Sequence, residues 1–222
     1  MQSFREFYRK RRLKQSWMSV FFIVVLAFGW KYPVLGFSIL ACLLLGIAVG
    51  LFKGRYWCNW YCPRGSFYDA FAGMFSPHRL VPSFLRGMPS RITVLGLLMA
   101  VMLFFFLRYW PHPERMGTAL VILVSFTTLL GLILAFFLHE RSWCMVCPVG
   151  TMIRLTSRKT SALLINSVSC IECKRCSQVC PMQIRAYDFR KEGESPVTDK
   201  DCLGCGLCVA ACPAKALRFA KT

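Results

Sequence analysis

The 222-residue chain carries 28 Lys and Arg against 10 Asp and Glu, a formal net charge of +18, and 56% of its residues are hydrophobic. The hydrophobic residues concentrate in long runs before residue 140, so the charge reads as basic flanks of membrane spans, and no base-reading motif makes nucleic acid an expected partner. Of thirteen cysteines, all but Cys42 fall in short C-x-x-C or C-x-x-x-C spacings, which favours metal ligation over a secreted disulfide scaffold.

Residues 1–16 form a basic segment with Arg5, Arg9, Lys10, Arg11, Arg12 and Lys14. A membrane domain is expected over 17–160. Its first apolar run is Trp17–Trp30; no small-residue cleavage site follows, so it is expected to be an anchor and not a signal peptide. After a break at Lys31-Tyr32-Pro33, Pro33–Phe52 has the length that a bilayer core requires. Ile92–Trp110 and Gly117–Leu138 form a second pair, joined by Pro111–Met116. Lys53, Arg55, Arg64, Arg79, Arg86 and Arg91 lie between the pairs, whereas the opposite turns hold Lys31 and Arg115. This bias predicts a multi-pass protein of a prokaryotic cytoplasmic membrane, with both termini in the cytoplasm.

Each pair ends in a similar loop. Residues 54–65 contain Arg55-Tyr56-Trp57-Cys58, then Cys62-Pro63-Arg64-Gly65; residues 140–150 contain Arg141-Ser142-Trp143-Cys144, then Cys147-Pro148-Val149-Gly150. The shared R-x-W-C and C-P-x-G elements, with the first cysteines 86 positions apart, define an internal repeat of helix, helix and cysteine loop. Ser66–Phe75 is expected to be a short interfacial helix bearing Phe67, Tyr68, Phe71 and Phe75. Cys58, Cys62, Cys144 and Cys147 could together ligate a third iron–sulfur cluster or a single iron, form a dithiol–disulfide relay, or remain inert thiols. Cys42, alone in the second span, reads as a small core residue. His78, His112 and His139 all lie away from mid-membrane depth, which excludes a buried bis-histidine haem.

From residue 161 to 222 the pattern is that of a soluble module. Cys170, Cys173, Cys176 and Cys180 precede Pro181 in the spacing C-x-x-C-x-x-C-x-x-x-C-P, and Cys202, Cys205, Cys208 and Cys212 repeat it before Pro213. Three cysteines on one tight loop reach three irons of one cubane, and the fourth ligand comes from the other run. One 4Fe–4S cluster is therefore expected on Cys170, Cys173, Cys176 and Cys212, and the other on Cys202, Cys205, Cys208 and Cys180. Zinc is the alternative for such pairs, and the doubled run with both prolines disfavours it. Gly204 and Gly206 suit a loop whose backbone approaches a cluster closely. Lys174, Arg175 and Arg185 form either a solvated face or a positive surrounding for the first cluster.

The expected fold is thus an α-helical membrane protein with four transmembrane helices in two helix-pair repeats. A C-terminal α+β ferredoxin-like domain of the bacterial two-cluster 4Fe–4S type follows. Four spans, two W-C…C-P loops and two terminal ferredoxin runs together resemble the NapH group, polytopic ferredoxin-type components of periplasmic nitrate reductase systems. The methylamine-utilisation membrane ferredoxin and the C-terminal half of the nitrous-oxide-reductase regulator are related. Members carry C-x-x-x-C-P in both loops, whereas the second loop here is Cys144-x-x-Cys147-Pro148.

The resemblance implies a quinol-linked electron-transfer role beside other redox subunits of a respiratory complex. A quinone would bind near Trp57, Trp60, Tyr61 and Trp143, residues that could equally anchor the chain at the membrane interface. A reductive maturation factor, supplying electrons to a metalloenzyme or its metal centre, is the alternative function; a passive anchor is a third. No paired catalytic carboxylates, nucleophile–base motif or nucleotide-binding glycine loop appears, so a substrate-converting activity of the chain itself stays open only as part of a quinol dehydrogenase.

Overall fold

A computed structural model describes residues 2–157 and 163–220. The expected boundary at 160/161 falls outside the described residues. The long helices are α1 (Gln2–Phe28), α2 (Ser38–Lys53, entered through a 3-10 turn at Pro33–Phe37), α6 (Met88–Tyr109) and α7 (Pro113–Phe137). Short helices fill the loops between and after them: α3 (Tyr56–Trp60), α4 (Pro63–Ala70), α5 (Ser83–Arg86), α8 (Ser142–Val146) and α9 (Pro148–Thr156). Among the described residues, three segments are long and apolar enough to cross a membrane: Pro33–Lys53, Met88–Tyr109 and Pro113–Phe137.

The first expected span, Trp17–Trp30, falls on the second half of α1 and is not among those three. From Gln2 on, the basic segment is the start of that same continuous helix. Its apolar half runs beside α7, where Phe22 and Val124 share a core and Gly29 approaches Val121. Large apolar side chains on α1, α2, α6 and α7, such as Trp17, Leu44, Leu103 and Phe126, are exposed, as lipid-facing residues are. The proposed interfacial helix is α4 followed by a 3-10 turn at Ala72–Met74. Only Phe71 and Phe75 of its aromatics lie at the surface; Phe67 and Tyr68 are buried among α1 and α7, with Tyr68 donating its hydroxyl hydrogen to the Thr128 carbonyl.

The C-terminal domain contains a three-stranded antiparallel sheet in the order β2 (Glu194–Pro196), β1 (Leu163–Asn166), β3 (Leu217–Phe219). Two short helices, α10 (Arg175–Gln178) and α11 (Leu207–Ala211), pack together beside it. This is the expected α+β arrangement. The domain is seated firmly on the membrane-edge helices. Gln183 accepts from the Val81 backbone N–H at 3.0 Å and donates to the Arg79 carbonyl at 2.7 Å. One hydrophobic core runs continuously from Cys58, Met145 and Ile153 through Val81 to Met182, Leu203, Cys205 and Leu207.

Close helix packing near the outer turns depends on two glycines facing each other. A Cβ on Gly117 would fall against the Pro33 carbonyl oxygen, and one on Gly36 against that of Gly117. Gly96, on α6, has open space around it. Gly117→Ala is therefore expected to destabilise the solubilised protein by about 1–3 kcal/mol through overpacking. Gly96→Ala should be neutral or gain about 0.5–1 kcal/mol from helix propensity. Thermal unfolding in detergent compares the two variants.

Candidate iron–sulfur and membrane-edge sites

The two cysteine runs form the same loop twice. The residues with a left-handed backbone in the first run are Glu172, Lys174 and Gln183, and thirty-two positions later they are Gly204, Gly206 and Lys215. A left-handed conformation costs a non-glycine residue about 1–2 kcal/mol, so its retention at Glu172 and Lys174 marks a constraint on the loop. Such turns direct successive backbone N–H groups inward and form an anion-binding concavity. Nearby backbone N–H groups favour the thiolate form: those of Tyr187 and Ser177 act to lower Cys176, those of Ile184 and Met182 to lower Cys180, and that of Leu207 to lower Cys205, each against a larger effect of burial.

Cys212 joins Cys170, Cys173 and Cys176 around one small cavity, while Cys180 joins Cys202, Cys205 and Cys208 around another that Cys176 also borders. The second cavity is proximal to the membrane domain, since Cys205 and Leu207 share its core. The first is distal, with Cys173 and Ile171 exposed. Lys174, Arg175 and Arg185 are exposed too, as a solvated face requires. Burial is the chief force on the proximal thiols: it pushes Cys180 up to about 12 and raises Cys205 and Cys208. Such thiols require a bound cation to be held as thiolates.

The two membrane-edge loops are also brought together. Cys58, Cys62, Cys144 and Cys147 line one cavity of about 430 Å³, walled by apolar residues of α1, α2 and α7. Cys62 and Cys147 are the N-cap residues of α4 and α9, and the following prolines open those helices. The C-P-x-G element is thus a helix start, and Cys62 Sγ accepts the Gly65 N–H at 3.4 Å. Burial pushes Cys58 up to about 12 against the field of Arg55, and Cys144 up to about 11 against that of Arg141.

The arginine of each loop crosses into the other. Arg55 donates to the Cys144 carbonyl at 2.5 Å and lies over Gly150, where a Cβ would collide with its guanidinium. Arg141 donates to the Cys58 carbonyl at 3.0 Å and to Cys144 Sγ at 3.7 Å, and lies over Gly65 in the same way. Both arginines are fully buried. Each is balanced by a carboxylate. Asp69 accepts from Arg141 through both oxygens, and from Arg11 and Gln15 at 2.6 Å each. Asp201 accepts from Arg55 at 2.7 Å and from Arg91 through two bonds of 2.8 and 2.7 Å. Burial alone would raise both carboxyls, but the arginines outweigh it and hold both below the usual carboxylate range.

Asp201 precedes Cys202, so Arg55 ties the membrane-edge thiols directly to the loop of the proximal cavity. Sequence reasoning found the arginines only as parts of a repeat and missed Asp69 and Asp201. It also placed two residues wrongly. Cys42 is no isolated core residue: it lines the membrane-edge cavity with Cys62, and its proximity together with burial raises the Cys62 thiol. Its signal was arithmetic, one cysteine left after twelve had been paired. Trp57, Tyr61 and Trp143 border the cavity, whereas Trp60 does not. Trp60 packs on Tyr56 at 6.0 Å with Lys14 over its ring at 5.5 Å, because α3 pairs residues four apart and sets Trp57 with Tyr61 instead.

Comparison with known proteins agrees with this division. A 4Fe–4S dicluster domain family matches residues 163–219, and a 4Fe–4S binding domain family matches twice, over 35–82 and 118–165. Each half of the double match takes in the second helix of a pair and the cysteine loop that follows it. The chain is a membrane-associated iron–sulfur electron-transport protein. More narrowly, it is similar to the NapH membrane ferredoxins. It is 28% identical to the ferredoxin-type protein NapH of Haemophilus influenzae over 79% of this chain and 67% of that one. The ferredoxin-type protein NapH of Escherichia coli is 26% identical over 76% of this chain and 63% of its own length. An uncharacterised protein of Methanocaldococcus jannaschii is 23% identical over 94% of both chains. No solved structure matches.

Arg141→Ala leaves Asp69 buried and undercompensated, and is expected to destabilise the protein by about 3–5 kcal/mol. Arg141→Lys cannot make the paired bonds and should recover less than half of that loss. Thermal unfolding of the two variants with iron content measured alongside checks both statements.

Proposed function

We propose that the chain transfers electrons between membrane quinol and redox partner subunits along the cytoplasmic face of a prokaryotic membrane. The observation that carries this reading is the succession of three cysteine groups, membrane edge, proximal and distal, with one packed core that runs from Cys58 through Cys205 to Cys170 and Cys212. Cys202, Cys205, Cys208 and Cys180 would hold the proximal 4Fe–4S cluster, and Cys170, Cys173, Cys176 and Cys212 the distal one. Cys58, Cys62, Cys144 and Cys147 would hold a third iron–sulfur centre. Bound there, such clusters supply one-electron redox chemistry, which suits division of a two-electron quinol oxidation.

The spacing of the thiols supports clusters over single ions. One tetrahedral ion with metal–sulfur bonds of about 2.3 Å requires thiols roughly 3.8 Å apart. Among the described residues no three cysteines come within 4.8 Å of one another. The same residues contain no disulfide. The chain's own part is to hold the thiols rigidly, exclude water from them and compensate their charge with Arg55, Arg64 and Arg141. Trp143 Nε1 is buried with no acceptor and can serve a bound group in the cavity it borders.

A quinol ring fits the apolar membrane-edge cavity, where Trp57, Tyr61 and Trp143 border the thiols and the side chains of Met18, Phe21 and Leu45 form a lipid-side wall. The second half of α1, Trp17–Phe28, crosses with the other three helices in this account, its length of about 18 Å being extended by the turn that follows. The arginines and lysines at 5–14 and 53–91 then share the cytoplasmic side with both chain ends.

Replacing both Cys58 and Cys144 with Ser is expected to abolish quinol-driven reduction of the ferredoxin clusters while their EPR signals after dithionite reduction stay intact. Unchanged quinol-driven reduction in that double variant would sink the proposed route.

A further inference from the structure

We propose that His78, His139 and Glu140 form a divalent-metal site of two imidazoles and one carboxylate, separate from the cysteine groups. Glu140 Oε2 lies 3.0 Å from His78 Nδ1 and 3.2 Å from His139 Nδ1, and one ligand atom from each residue falls within 4.8 Å of the others. Bonds of about 2.0–2.1 Å to one ion set neighbouring ligand atoms roughly 2.9–3.4 Å apart, from octahedral to tetrahedral geometry. Residues distant in sequence meet here because His139 and Glu140 directly follow α7, and the Arg79 N–H bonds the Leu138 carbonyl at 2.8 Å, which draws the neighbouring His78 alongside.

Two further observations call for a cation. Glu140 Oε2 is buried and accepts no hydrogen bond. His139 Nδ1 accepts the Arg141 backbone N–H at 3.2 Å, so it presents a lone pair, and no proton, to a carboxylate oxygen 3.2 Å away. A metal ion relieves that opposition and takes the lone pair in place of the long N–H contact. The charge setting agrees. Asp69 and Asp201 are met by arginines, whereas Glu140 Oε2 faces the nitrogens of two imidazoles.

The three residues border a cavity of about 550 Å³ whose wall also includes Cys180 and Pro181. Ligand positions not filled by the protein are therefore open to water or to a small ligand beside the proximal cysteine group. Two imidazoles and one carboxylate with open positions suit Zn²⁺ or Fe²⁺, and the nitrogen donors disfavour Mg²⁺ and Ca²⁺.

The test uses Zn²⁺ alone, titrated anaerobically into the full-length protein in detergent with its clusters loaded, followed by desalting and measurement of zinc and iron. One zinc per chain is expected with iron unchanged, and binding should weaken about a hundredfold in both His78→Ala and Glu140→Gln. His78 is 60% exposed, so His78→Ala reads the site without disturbing folding. His112→Ala, in the outer turn, should bind zinc as the unaltered chain does. Failure to retain zinc, equal affinity in the unaltered chain and the two site variants, or loss of iron in step with zinc uptake would each overturn the proposal. None of these results depends on quinol oxidation, so the two proposals fail separately.

Discussion

The crossing of Arg55 and Arg141 is the constraint on which the membrane edge depends. Two buried guanidinium groups cost several kcal/mol each unless they are paired and hydrogen-bonded. Here each is paired with a carboxylate and bonded to the carbonyl of the other loop's first cysteine. Neither loop can be satisfied alone. The glycine of each C-P-x-G element is required because the opposite arginine occupies the space a side chain would take. The repeat is therefore a two-part lock, and its product is one cavity lined by thiols from both halves.

The same interaction carries the module that follows. Asp201 gathers Arg55, Arg91 and Arg154 onto one carboxylate immediately before Cys202. The ferredoxin-like domain is consequently docked by charge at the point where its proximal loop begins, and the apolar core that includes Cys58 and Cys205 fills the rest of the contact. Electron transfer needs short, fixed separations between centres. A buried three-arginine contact supplies that fixity in a way an exposed linker would not.

What the sequence made legible was local. Apolar runs marked the long helices, cysteine spacing marked the paired ferredoxin loops, and the repeated R-x-W-C and C-P-x-G elements marked the two halves. What it concealed was long-range. Arg55 and Cys144 are 89 positions apart and Arg141 and Cys58 are 83 apart, so no local period couples them. Cys42 looked inert because only the tertiary fold carries α2 past Cys62. Trp60 was misplaced because a composition of aromatics does not reveal which face of a five-residue helix turns inward. The count of membrane-crossing helices was blurred by α1, whose basic first half and apolar second half form one helix.

The central claim is that the two locked loops make one iron–sulfur site in addition to the two ferredoxin sites. Its most direct measurement is iron and acid-labile sulfide per chain in anaerobically purified protein, read together with EPR of the reduced state. Three 4Fe–4S centres require about twelve irons per chain and a third set of cluster signals. A reproducible value of about eight, with both ferredoxin clusters fully formed, would contradict the account.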